Sequence, residues 1–264
     1  MIEIKSAAAS NLGNIRENNE DTFYLNGKLF EAAKGVANEF DTSSCGFFAV
    51  FDGMGGEAFG EVASAIAAQI LQKYHKKIIN EKTSSHEIVN EYCIEANALI
   101  CDEINKTGKR MGTTFALLFV QNNIVYAYNI GDSRIYLYKD GQIAQLSKDH
   151  TQATRLIDMG IITKEMAKTH PARHTLTQHL GIFPEEMIIE PFAAIPVTIA
   201  GGEIFLLCTD GLTDMLDDNE IKKNLCPHAD VQNTANKLID AALEKGGRDN
   251  ITVIVSKIMA TSPL

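Results

Sequence analysis

Four short apolar runs, far apart along the chain, each meet an aspartate that sits beside glycine or asparagine. They are Phe47-Phe48-Ala49-Val50-Phe51-Asp52-Gly53-Met54-Gly55-Gly56, Ile130-Gly131-Asp132-Ser133-Arg134, Ile204-Phe205-Leu206-Leu207-Cys208-Thr209-Asp210-Gly211, and Gly246-Gly247-Arg248-Asp249-Asn250, which leads into an apolar run over 251–255. Each run is short, rich in Phe, Val, Ile and Leu, and bounded by glycine, which predicts buried strands rather than helices. A carboxylate at the end of a buried strand is costly unless a cation or several hydrogen bonds compensate it. One Asp-Gly pair alone reads as a turn. Four such strand ends constrain the fold, because folding must gather them where a hard divalent cation can offset their charge. On the residues alone, the chain reads as a metal-dependent hydrolase.

Composition narrows the setting. A chain of 264 residues, 45% hydrophobic, can bury a sizeable core, and no Pro-, Ser- or Gly-rich linker divides it. Its 34 acidic against 24 basic residues give a net charge of −10, which excludes a surface built for nucleic acid or an anionic membrane. The five cysteines (Cys45, Cys93, Cys101, Cys208, Cys226) are odd in number and form no close Cys-x-x-Cys pair. Neither a disulfide frame nor a zinc site is indicated, and a reducing cytoplasm fits. The N-terminus lacks the pattern of a signal peptide, so retention inside the cell is expected. The uncharged stretch 111–131 is split by Gln121-Asn122-Asn123, which predicts a hairpin rather than a membrane span.

Along the chain, strands are expected over 3–9 and from Asp21 to Leu25, followed by a surface loop over 26–44 with a helical turn around 29–38. After the strand that ends in Asp52, two amphipathic helices are expected. The first, 58–80, puts Val62, Ile66, Ile70 and Leu71 on one face, and the second, 87–105, does so with Ile88, Tyr92, Leu99 and Ile104. Strands over 113–120, 124–130 and 134–139 form a meander closed by a turn at 139–142. A mostly helical or irregular stretch, 151–186, precedes strands over 187–192 and 203–208, a helix over 231–244 and the last strand. Blocks of strands and pairs of helices, without regular β-α-β alternation, argue for an α+β layered fold.

Asp52, Asp210 and Asp249 supply three carboxylates, enough for a pair of Mg or Mn ions, with Asp52 the best bridging candidate. Glycine at 53 lets a backbone carbonyl approach a cation closely. Arg16 has a planar fork suited to two phosphoryl oxygens.

The ordered set Arg16, Glu20-Asp21, Asp52-Gly53-Met54-Gly55-Gly56, Met111-Gly112-Thr113-Thr114, Gly131-Asp132-Ser133-Arg134, Asp210-Gly211-Leu212 and Gly247-Arg248-Asp249-Asn250 resembles the PPM family. These are the metal-dependent type 2C serine/threonine protein phosphatases, here in their single-domain bacterial form. The resemblance runs from about residue 4 to 255. It implies a central β-sandwich of two antiparallel sheets flanked by pairs of α-helices, in one domain over 1–258 with a tail over 259–264. A flap subdomain at about 151–186 would stand beside the metal cleft.

The resemblance further implies that Asp52 bridges two Mn or Mg ions, that the Gly53 carbonyl binds the first, and that Asp210 and Asp249 bind the second. Glu20, Asp21 and Asn250 would support this shell, Arg16 would hold the phosphate, and Asp132 would help bind a third, weaker ion. A water activated by two metals would attack phosphorus without a phosphoenzyme intermediate. Partners would be phosphorylated proteins made by a serine/threonine kinase, with no nucleic acid or membrane, and the chain would act as a monomer.

Three positions depart from the family pattern. Met54 stands where many members carry a proposed proton-donating histidine, Glu57 where many bacterial relatives carry histidine, and Thr209 where serine is common. None removes a ligand. A catalytically silent binding module would have lost ligands, and a phosphatase for small phosphoesters would keep them all.

Other candidates read as structural. His170 and His174 are four apart, but Pro171 disfavours a helix through them and no acidic residue completes a site in sequence. Asp149-His150 leads into the flap and reads as structural. Cys208 reads as a core residue, and no cysteine has arginine at the spacing a cysteine phosphatase needs. The absence of a Gly-x-x-x-x-Gly-Lys loop excludes a P-loop nucleotide site.

Overall fold

The computed structural model describes residues 2–31, 36–56, 59–80, 85–225 and 228–260. Strands β1 (Ile2–Asn11), β2 (Thr22–Leu25), β3 (Lys28–Glu31), β4 (Val36–Ser43), β5 (Gly46–Phe51) and β6 (Gly53–Gly55) precede two long helices. These are α1 (Phe59–Asn80) and α2 (Ser85–Thr107). Strands β7 (Met111–Thr113), β8 (Phe115–Gln121), β9 (Ile124–Ile130), β10 (Arg134–Lys139) and β11 (Gln142–Gln145) follow. An excursion then carries α3 (Gln152–Asp158), α4 (Lys164–Ala167) and a 3-10 turn (Pro171–His174). The chain ends through β12 (Phe192–Ala193), β13 (Val197–Thr198), β14 (Ile204–Cys208), α5 (Asp210–Thr213), α6 (Asp218–Asn224), α7 (Val231–Glu244) and β15 (Ile251–Ala260).

Two antiparallel sheets form the middle of the molecule. One has the order β11-β10-β14-β15-β1-β4, the other β12-β9-β8-β5-β2-β3 with β13 also on β9, and β6-β7 make a small separate ladder. The apolar runs have no polar alternation because both of their faces are buried. In β5, Phe48 and Val50 face the opposite sheet, where Ile4, Phe205, Leu207 and Ile254 meet them. Phe47, Ala49 and Phe51 point the other way, onto Ala63, Ala67 and Leu71 of α1 and Tyr92 and Ala96 of α2. On the far side, Leu206, Val253 and Val255 pack against Ala235 and Leu238 of α7 and Ile221 of α6. The layering is helix, sheet, sheet, helix.

This layering carries the acidic turns to one end of the sandwich. Thr22 pairs with Phe51, which sets Asp21 beside Asp52. Cys208 pairs with both Arg134 and Val253, which aligns the turn at Asp132, the end of β14 at Asp210, and the start of β15 after Asp249.

Several expectations are corrected. Residues 26–44 hold β3 and β4 rather than a loop, and the helical turn around 29–38 is absent among its described residues. The strand over 187–192 is reduced to Phe192–Ala193 pairing with Asn129 and Tyr128. Leu99 is exposed on α2, unlike Ile88, Tyr92 and Ile104. Strand β15 runs to Ala260, two residues beyond the expected boundary, while the rest of the tail, 261–264, lies outside the described residues. Glu57, the expected helix start at Ala58, and Cys226 also lie outside them. The hairpin expected within 111–131 forms as β8 and β9, and no helix among the described residues is long and apolar enough to cross a membrane.

Candidate metal centre

Arg16, Glu20, Asp52, Asp132, Asp210 and Asp249 line one cleft of about 410 Å³ at the end of the sandwich. Asp21 and Asn250 stand behind it. Asp21, 2% exposed, accepts a hydrogen bond from the Thr209 hydroxyl at 2.9 Å. Asn250 is a structural knot: its side-chain amide donates to the carbonyls of Leu12 and Asn18, both at 2.9 Å, and its Oδ1 accepts from the Glu20 N–H at 2.8 Å. That knot fixes the Arg16 to Glu20 segment against β15. Gly53 is held by close approach, since a Cβ there would stand 2.2 Å from the Gly60 carbonyl and 2.5 Å from that of Glu20.

The electrostatics show what the cleft lacks. Burial and then the neighbouring carboxylates push Asp52 and Asp132 well above the usual range. Burial raises Asp21 to about 8 despite its threonine partners, and burial with Asp214 and Asp249 nearby raises Asp210 to about 6. Asp52 and Asp210 each sense the other's carboxylate, so neither ionises without cost to its neighbour. Among the described residues, the only ion pair to these six cleft and supporting acids is Arg16 Nη2 to Asp249 Oδ2 at 2.6 Å. A group of acids so short of positive charge, all oxygen donors, fits a site for hard divalent cations.

The sequence reading missed two contributors. His174, in the 3-10 turn, reaches the cleft, and its Nε2 lies 3.5 Å from Asp214 Oδ2. One ligand atom from each of His174, Asp210 and Asp214 falls within 4.8 Å of the others, so acidic residues do complete a group around His174. The signal for Asp214 was its spacing four residues after Asp210, one helical turn on. The partnership with His174 spans a fold-back that no local pattern encodes. His170 instead caps the 3-10 turn, accepting from the Ala172 N–H at 3.1 Å. Cys208 is buried, with its thiol pushed up to about 12 by desolvation, as a core residue requires.

A two-sheet sandwich with outer helices and a carboxylate cleft at one end defines a class of metal-binding hydrolase scaffolds. The chain belongs to the protein phosphatase 2C family, whose model matches residues 37–245. The serine/threonine protein phosphatase PstP of Mycobacterium tuberculosis is 32% identical over 261 residues, 97% of this chain but 45% of that protein. The chain therefore spans less than half the length of that relative. The serine/threonine phosphatase stp of Listeria monocytogenes is 32% identical over 250 residues, covering 92% of this chain and 91% of its own. The structure resembles the catalytic domain of a PstP solved in complex with two manganese ions, with a TM-score of 0.78 and 30% identity over 98% of this chain and 100% of that one.

Proposed function

We propose that the chain is a metal-dependent serine/threonine protein phosphatase that removes phosphate from phosphoserine and phosphothreonine. The observation that carries this reading is a set of mutually repelling carboxylates gathered beside one arginine at the mouth of a cleft. The names of the relatives support it. Asp52, Asp210, Asp249 and the Gly53 carbonyl would hold two Mn or Mg ions, with Asp132 at a third, weaker one. The chemistry such ions supply when bound is a water acidic enough to attack phosphorus at neutral pH.

The chain's own residues do the rest. Arg16 leaves Asp249 to fork onto two phosphoryl oxygens, which orients the phosphorus and offsets its charge. Glu20, Asp21 and Asn250 support the ligand shell, Asn250 by tying the segment that carries Glu20 in place. Met54 offers no proton, so the leaving alkoxide takes one from outside the Asp-Gly turn. Residues 151–186 act as a flap over the cleft, within one domain that includes all of β15 to Ala260. On this reading the partners are phosphorylated proteins made by a serine/threonine kinase in the cytoplasm, and the chain works as a monomer.

The test is phosphate release from a phosphothreonine peptide and from p-nitrophenyl phosphate, with Mn, for the wild type and Asp249→Asn. Peptide turnover that the substitution abolishes supports the reading. Turnover of the small ester alone would assign a small-molecule phosphatase, and near wild-type turnover by Asp249→Asn would sink the two-ion assignment.

A further inference from the structure

Lys148-Asp149-His150 lies between β11 and α3, outside the ligand set, and grips the molecule in two directions. Toward the cleft, the His150 N–H donates to the Gly131 carbonyl at 2.9 Å, and the Gly131 N–H donates back to His150 Nδ1 at 3.1 Å. Both backbone polar groups of Gly131 are therefore satisfied by one residue. The next residue is Asp132. Gly131 sits at φ +93°, and a Cβ there would stand 2.5 Å from the Thr114 side chain, so only glycine fits this point of the turn. Buried Asn129 closes the loop, donating to the Gly131 and Lys148 carbonyls at 3.2 and 2.8 Å and accepting from the Lys148 N–H at 3.1 Å. On the other side of the turn, Asp149 holds Arg134 through three contacts of 2.6–3.1 Å.

In the opposite direction His150 and the two residues after it pair with 175–177, inside the 151–186 excursion. The His150 carbonyl accepts from the Thr177 N–H at 2.8 Å, the Gln152 N–H donates to the Thr175 carbonyl at 2.8 Å, and Thr151 bridges to Leu176. Leu176 and His174, just upstream, line the carboxylate cleft. One residue thus fastens the Asp132 turn and the return arm of the flap to each other.

We infer that His150 is a positioning residue that aims Asp132 at the weaker cation and couples that site to the flap. The inference rests on the assignment of Asp132 proposed above. Because such coupling is reciprocal, an ion at Asp132 steadies the flap, and a displaced flap weakens the ion. Nothing in the role needs His150 to touch substrate. What it supplies is an acceptor on the side chain facing Gly131, with its own backbone fixed by Thr177.

The test compares His150→Phe, which keeps a ring but has no acceptor, with His150→Asn, which keeps a short acceptor. Manganese binding is followed by calorimetry without substrate, hydrogen exchange over 151–177 is measured with and without Mn, and unfolding temperatures are taken in EDTA. His150→Phe is expected to bind the first two ions as the wild type does while weakening the third about tenfold, the scale for losing a residue that orients a ligand. Its flap exchange should no longer respond to Mn, and His150→Asn should restore much of both. Equal third-ion affinity and exchange response in His150→Phe and the wild type would overturn the coupling. Equal loss of all ions and of unfolding temperature in both variants would reduce His150 to packing and overturn it too. A wild type that takes only two ions would remove the Asp132 site and this inference with it, while leaving the phosphatase reading intact.

Discussion

Glu203 and the cleft acids are both carboxylates taken out of water, yet their surroundings drive them in opposite directions. Glu203 is 0% exposed, and its desolvation is more than offset by Lys139 at 2.9 Å and by the Gly201 and Ala200 amides at 2.8 and 3.3 Å, so its pKa falls below the usual value. Asp132 is 9% exposed and Asp21 2%, but their neighbours are other carboxylates, and both are pushed up. Burial is common to the two regions. What differs is the source of positive charge: Glu203 finds its cation within the chain, whereas the cleft has one arginine and must draw the rest from solution.

The largest effect expected from this contrast comes from Asp210→Asn. It removes a proposed ligand whose charge acts on both Asp52 and Asp249, and kcat for a phosphothreonine peptide at saturating Mn should fall by about 10³-fold, the scale of losing a main electrostatic contributor. A loss under tenfold would break the comparison at its centre. Arg16→Ala comes next: a charge-assisted bond worth about 2 kcal/mol should raise KM about thirtyfold with a smaller change in kcat. Its partner Asp249 is freed at the same time, so calorimetry should show Mn binding no weaker than in the wild type.

Glu203→Gln sharpens the other side. It removes the ion-pair partner of Lys139, itself 47% exposed, and should cost about 1 kcal/mol in urea unfolding while turnover per folded molecule stays at the wild-type level. An activity loss there would show that the two regions are not independent.

The last effect is a slope. Asp21 has a folded value of about 8, above its ordinary 3.8, so the unfolded chain releases this proton first. The stability it contributes is fully present below the ordinary value and is lost as pH rises until the folded value is passed. In EDTA, the wild type should therefore lose stability relative to Asp21→Asn between about pH 4 and pH 8, by paired denaturant titrations. A gap independent of pH would mean that Asp21 is ionised in the folded chain.

The strands that end in the cleft acids were legible because burial on both faces leaves uninterrupted apolar runs, and glycine marks their ends. β4 was not, because it is the edge strand of its sheet. Ala37 is buried, but Asn38 and Phe40 are exposed, and its only strand partner among the described residues is β1, with Asn38 opposite Ala9 and Phe40 opposite Ala7. Pairing with a strand far upstream gives such a strand its order, and local composition does not show it. The same holds for Phe192–Ala193, whose pairing with β9 is again at an edge. Among site residues, Asp52, Asp132, Asp210 and Asp249 were readable from strand ends, and Arg16, Glu20 and Asp21 from their place in an ordered motif set. His174 was set aside on a local argument about Pro171, which was sound for a helix but silent about Asp214 across the cleft. His150 was read as structural. Its contacts fall on Gly131, whose role depends on the aspartate that follows it.

The most direct test of the account is phosphate release from a phosphothreonine peptide, measured with Mn, after EDTA, and after Mn is restored. The account predicts turnover with Mn, none in EDTA, and full recovery on readdition. Turnover that persists in EDTA, or a protein that binds two Mn by calorimetry and releases no phosphate, would contradict it.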